Sequence, residues 1–233
     1  MLETESHSFL SVATDGTSNR RDTPAYSHVY KRVCSSCNSG WLSALEAETK
    51  RIVKRMVEEE VFTLDRVDRL FLNAWTYKLF ALTHLSEGGL RAQIIRAQDL
   101  VSLHKHLLPQ GRCFLALAKC SGYRVGKISV HFFQNSFITT REEAEKNDPS
   151  ETQCFVGMLR VSNLMLLFAY VPPGVDWALE LDPRVAESAS LWPGPESDEV
   201  PVNKTQLPEI EHPERLTFFF IHPGYEMSGT ERE

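Results

Sequence analysis

What most constrains this chain is a change of periodicity at Gly111. Before it, apolar residues recur at helical spacing. From Trp41 to about Val61, the residues Leu42, Leu45, Ile52, Val53, Met56 and Val57 share one helical face. A second helix is expected from Leu64 to about Leu85, with Val67, Leu70, Phe71, Ala74, Trp75, Leu79 and Leu82 as its apolar stripe. Ser-Glu-Gly-Gly at 86–89 would stop it. A third is expected to start with Asp99 as its N-cap and to end before Leu107-Leu108-Pro109. After Gly111 the segments RCFLALAKC, RVGKISVHFF, TQCFVGMLRV and LMLLFAYVPP, and later RLTFFFIHP, are short and rich in β-branched and aromatic residues, with turn signals between them. The stretch from Leu164 to Pro173 reads as a buried strand. A helical front half and a mostly antiparallel sheet in the rear half make the expected fold class α+β.

The remaining segments are more polar. Residues 1–27 are expected to form an irregular arm. Residues 139–152 form a charged excursion, and residues 172–213, rich in Pro and acidic side chains, read as an extended surface connection. There is no internal repeat.

Composition excludes several classes. With 233 residues, 42% hydrophobic and 24% charged, the chain can bury a core without disulfides. Five cysteines, at 34, 37, 113, 120 and 154, are too sparse for a secreted disulfide framework. The start, MLETESHSFLSV, lacks the basic and apolar regions of a signal peptide, and no apolar run is long enough to cross a membrane. A reducing cytoplasm is the expected location. There is no Gly-rich phosphate loop and no nucleophile elbow.

Cys34 and Cys37, in VCSSCNSGWLSALE, admit three readings. A thioredoxin-type redox pair would sit between a strand and a helix in an alternating βαβ pattern, which is not visible here. Inert buried thiols are a second reading. A zinc knuckle is the third, since two thiolates separated by two residues can bind one tetrahedral ion. Asn38 equally suits a turn or a helix N-cap, and Gly40-Trp41 suits packing of the helix onto a core.

The continuation Cys34-Ser35-Ser36-Cys37-Asn38-Ser39-Gly40-Trp41-Leu42-Ser43-Ala44-Leu45-Glu46 resembles the second knuckle of zinc-containing HNH endonucleases. It is similar above all to bacterial HNH-type proteins carrying C-x-x-C-N-x-G-W-[ML]-S-x-L-E. The later Trp75-Thr76-Tyr77-Lys78 and Leu191-Trp192-Pro193 extend the resemblance over much of residues 33–195. It implies a partial ββα-metal, treble-clef-like element over 28–62, followed by an α+β domain over 63–233. It implies structural zinc on Cys34 and Cys37, and a catalytic Mg²⁺ or Mn²⁺ held with the help of Asn38. In such sites a histidine activates water while the metal stabilises charge on the phosphate. Here His7, in Thr-Glu-Ser-His-Ser-Phe, is the histidine available for that role.

The chain departs from the family pattern at two points. No cysteine precedes Cys34, so a first knuckle has no counterpart. Ser6 stands where the family has a carboxylate beside the histidine, which removes a hard oxygen ligand. Two further zinc ligands would have to come from His7, His28, Cys113, Cys120 or a second chain.

Charge adds a second line. The chain has a formal net charge of -6, which argues against extensive phosphate contact. Yet Arg20, Arg21, Lys31, Arg32, Lys50, Arg51, Lys54 and Arg55 face only Asp22, Glu46 and Glu48 over residues 18–55. Lys50, Arg51, Lys54 and Arg55 are candidate nucleic-acid contacts, or else the solvated face of an amphipathic helix. A nuclease-like protein and a non-catalytic interaction or nucleic-acid-binding module on the same scaffold are therefore the two functional expectations. The rear sheet is the expected platform for a homodimer or a protein partner.

Overall fold

The structure, a computed structural model, describes residues 6–12, 18–24, 33–87, 95–120, 132–137, 154–174, 177–181, 189–193, 198–210 and 219–223. His28, the excursion at 139–152 and most of RVGKISVHFF lie outside them.

The rear half is built on β4 (Arg112–Cys120), β5 (Phe132–Phe137), β6 (Cys154–Val161) and β7 (Leu164–Val171). They form an antiparallel sheet in the order β4-β7-β6-β5. The far edge of β4 is shared. The short β9 (Ala189–Trp192) pairs with it antiparallel at Leu115–Leu117, and β11 (Glu209–Ile210) pairs with it parallel at Lys119–Cys120. All eight residues of β7 are buried, so both sheet faces are covered there. That explains why LMLLFAYV shows no alternation: a strand with no wet face has no position for a polar side chain.

Among the described residues, three long helices precede the sheet: α2 (Ser43–Glu58), α3 (Arg66–Glu87) and α4 (Ala97–His106). A single helical turn, α1 (Ser35–Cys37), leads into α2 through a wider turn over Asn38–Leu42, where Gly40 leaves helical geometry at φ -96° and ψ -113°. One core joins Leu45, Ile52 and Met56 of α2, Leu72, Tyr77 and Phe80 of α3, Leu103 of α4 and the inward residues Leu115, Phe155 and Phe168 of the sheet. On the opposite sheet face Ala116, Met158, Met165 and Leu167 belong to a second apolar cluster. α3 comes close to the backbone of β6 at one point. The Phe80 ring stacks on Phe168 at 5.5 Å and 7°, and it lies over Gly157, where a Cβ would come within 2.2 Å of it.

The α+β class is as expected, but five local expectations are corrected. The arm at 1–27 contains an antiparallel hairpin, β1 (Ser6–Val12) with β2 (Ser18–Pro24). The polar composition concealed it, although Asp15-Gly16 between the two strands is a turn signal. The helix expected from Leu64 begins at Arg66, because Val61–Asp65 is a strand, β3, with Phe62 and Leu64 turned inward. The stripe assigned to α3 is its shallower side: Val67 is exposed, and Leu72, Tyr77 and Phe80 lie deepest. A helix enclosed between another helix and a sheet buries most of its circumference, polar Asn73, Thr76 and His84 included, so size-weighted periodicity misplaces its deep face. Asp99 is not the N-cap of α4; it lies in the first turn, and its carboxylate reaches back to accept the Arg96 backbone N–H at 3.2 Å.

The fifth correction concerns residues 172–213, whose described residues are no mere surface connection. They contain β8 (Trp177–Leu181), β9, β10 (Glu199–Asn203) and β11. Alternation of buried Val200 and Val202 with exposed Glu199 and Pro201 marks β10, which pairs antiparallel with β3. The 3₁₀ turn Lys204–Gln206 then brings Lys204 beneath α2. Its buried ammonium donates to the Val57 carbonyl at 2.9 Å, capping the negative end of the helix. Finally β12 (Phe219–Pro223), inside RLTFFFIHP, pairs with β8.

Candidate functional site

The cysteine pair sits where the chain enters its first long helical run. Cys34 is extended, at φ -67° and ψ 151°, and caps α1: its sulfur accepts the Cys37 backbone N–H at 3.1 Å and lies 3.3 Å from the Ser36 hydroxyl. The Asn38 N–H donates to the Cys34 carbonyl at 2.9 Å, closing the turn. Such a turn forms because a small polar side chain at its start can satisfy the otherwise unpaired N–H groups, and here a thiol performs that role. Cys34 is exposed and Cys37 half-buried, both as free thiols.

The two sulfurs differ electrostatically. Cys34 is pulled down from the ordinary value of 9.0 to about 7, chiefly by a hydrogen bond from the Cys37 thiol, with help from Ser36 and the Cys37 N–H. Cys37 is raised, because it donates to Cys34 and faces the charge that forms there; the Trp41 indole acts in the opposite direction. Cys34 therefore loses its proton first. Since the thiolate is the nucleophile, alkylation of metal-free protein by iodoacetamide is expected to rise with pH through a midpoint near 7 at Cys34, with Cys37 reacting only at higher pH. Peptide mass mapping across a pH series checks this, and equal rates at both positions would contradict it.

Trp41 anchors the turn. It packs against the core and stacks on His104 of α4 with ring centroids 5.0 Å apart and 26° between planes. This contact joins residues 63 positions apart in the chain and is not legible in the sequence.

The other sequence-derived candidates are distributed as follows. Asn38 is exposed beside Cys37. His7 lies in β1 opposite Thr23; its side chain is outside the described ones. Cys113 and Cys120 are buried in β4, and among the described residues no third His, Cys, Asp or Glu joins the pair at metal-binding distance. Two sulfurs make half of a tetrahedral zinc site, and neither β4 cysteine completes it.

The basic face of α2 is largely engaged in ion pairs. Arg51 and Arg55 both reach the buried Asp68 of α3, Arg51 at 2.9 Å. Arg51 also faces Glu48 at 3.7 Å, and Lys54 faces Glu58 at 3.9 Å. Lys50 is exposed. One face thus presents both signs of charge, and its two arginines tie α2 to α3.

Two residues quoted for the resemblance meet each other. Glu46, closing the Ser-x-Leu-Glu stretch, pairs with Lys78, the lysine of Trp-x-x-Lys. Lys78 is only 5% exposed, whereas Glu46 is 58% exposed. Sequence reasoning found both positions but not that they are partners.

Comparison with known proteins gives no further support: no protein-family model, curated protein or solved structure matches the chain. No helix among the described residues is long and apolar enough to cross a membrane.

Proposed function

We propose that this chain is an HNH-type nuclease-like protein whose catalytic half is degenerate, related to metal-dependent hydrolysis of nucleic-acid phosphodiesters in the cytoplasm. The observation that carries this reading is the joining of Cys34, Cys37 and exposed Asn38 in one turn at the head of a long helix. The chain order of hairpin, thiol turn and helix, in which His7 belongs to the hairpin, agrees with a partial ββα-metal element. On this reading Cys34 and Cys37 hold structural zinc, with the remaining ligands from His28 or a second copy of the chain. Asn38 would hold the catalytic Mg²⁺ or Mn²⁺, which supplies charge stabilisation at the phosphate. His7 is the residue to take a proton from water. Ser6 offers no carboxylate, so this ion is held weakly.

A second reading is a non-catalytic interaction or nucleic-acid-binding module on the same scaffold. The ion pairs of Arg51, Arg55 and Lys54 favour the interaction module over nucleic-acid contact, since they give the basic face a structural use. Plasmid nicking in Mg²⁺, Mn²⁺ and Zn²⁺ separates the two, with zinc content measured on the same preparations. The nuclease-like reading expects weak metal-dependent nicking lost in His7→Ala and Asn38→Ala, and zinc lost in Cys34→Ser. Identical behaviour of wild type and both activity variants leaves only the binding module.

A further inference from the structure

The core between α3, β4 and β7 contains polar groups that none of the structural roles above uses. Asn73 and Tyr77, one helical turn apart on α3, are fully buried, as is Tyr170 of β7. Both ends of the Asn73 carboxamide and the hydroxyls of Tyr77 and Tyr170 make no well-aligned hydrogen bond to protein, although Asp99 and Tyr77 approach the Tyr170 hydroxyl and the Cys113 thiol approaches Asn73. These atoms lie close together. The Tyr77 and Tyr170 rings meet edge to face at 5.0 Å and 61°. Tyr170 stands opposite Cys113 in the ladder, and the Cys113 thiol lies beside Asn73. Asp99, also fully buried, closes the cluster next to Tyr170, its carboxylate accepting the backbone N–H groups of Arg96 and Gln110 at 3.2 and 3.1 Å.

The tyrosine cannot seek solvent instead. A Cβ at Gly111 would lie 2.5 and 2.7 Å from Cε2 and Cζ of Tyr170, so the hydroxyl end of the ring rests against backbone. Burial holds both phenols and the Cys113 thiol well above their ordinary pKa ranges, so all three remain protonated. The cluster therefore offers two phenol donors, an amide donor and an amide acceptor to a neutral ligand.

We infer that α3, β4 and β7 enclose a permanent internal water site, in which bound water bridges the Asn73 carboxamide and the hydroxyls of Tyr77 and Tyr170 beside Asp99. Water is small and both donates and accepts, which matches this mixed set. Buried polar groups in native proteins are nearly always satisfied, and internal waters are the usual means where side chains do not reach one another. The site has no need of the thiol turn and is independent of the nuclease-like reading.

A high-resolution crystal structure of the full chain tests this, together with oxygen-17 relaxation dispersion of wild type and Tyr170→Phe. Expected are an ordered water within hydrogen-bond distance of at least two of the four atoms, and at least one fewer long-lived water in the variant. Tyr170→Phe keeps the ring, so it is expected to fold; circular dichroism checks that. No water touching two of these atoms, or an unchanged count of long-lived waters, overturns the inference.

Discussion

Gly157→Ala is expected to destabilise the protein by about 3 kcal/mol, the upper part of the range for overpacking a well-packed core. The added methyl would lie 2.2 Å from Cε1 and 2.5 Å from Cζ of Phe80. Neither partner can retreat. Phe80 is fully buried, stacked on Phe168 and tilted against Phe155 at 6.0 Å. Gly157 is held in register by both of its neighbours, opposite Gln134 of β5 and Phe168 of β7. A glycine at this point of β6 weakens the strand by its own propensity, and the gain is that α3 can lay an aromatic ring almost on the backbone. Phe80→Ala alone is expected to cost about 3–5 kcal/mol through the cavity it leaves. In the double variant the new methyl occupies part of that cavity, so the two losses add to less than their sum. Urea denaturation of the four proteins in the cycle measures the coupling. Strict additivity would show that the contact with Phe80 is not what excludes a side chain at 157.

The same contact indicates how much of the fold was legible in the sequence. β4, β6 and β7 could be read because each is a run of apolar and aromatic residues closed by turn signals, and a strand covered on both faces needs little else. α2 could be read because its outer face is wet, so Leu45, Ile52 and Met56 stand out against charged neighbours. α3 hid its deep face because nearly every side is enclosed. β3 and β10 were missed for the opposite reason. Each is short and half exposed, and each makes sense only beside the other, although about 140 residues separate Val61 from Asn203 in the chain.

The site followed the same rule. The thiol pair, Asn38 and Trp41 were visible because their chemistry is local, contained in one turn. The partners that position them were not: Lys204 under α2, His104 on Trp41 and Asp68 between two arginines are all tertiary choices. Charge counting left Arg51 and Arg55 open between phosphate contact and a solvated face, because a sequence does not reveal which carboxylate will be buried nearby.

Glu46→Ala is expected to cost about 2 kcal/mol, far more than the loss of an exposed helical glutamate would suggest, because the damage falls on its partner. Lys78 is 5% exposed, so its ammonium cannot recover full hydration when the carboxylate is removed. The reverse change is asymmetric. Lys78→Met removes the buried charge and keeps the apolar stem, while Glu46, more than half exposed, returns to water; its expected cost is below about 1 kcal/mol. Once Lys78 is Met, adding Glu46→Ala should cost almost nothing further, since no stranded charge is left. Thermal and urea unfolding of the four proteins tests this order. Equal losses in the two single variants would mean that the pair behaves as an ordinary surface salt bridge. The asymmetry also bears on the thiol turn. Glu46 lies one turn beyond Leu42 on the helix that extends from Cys34, and with Asp68 it fixes that helix onto α3. In Glu46→Ala the start of α2 loosens first, and the head start of Cys34 over Cys37 in alkylation should narrow. In Lys78→Met the helix stays seated and the difference between the two thiols is retained.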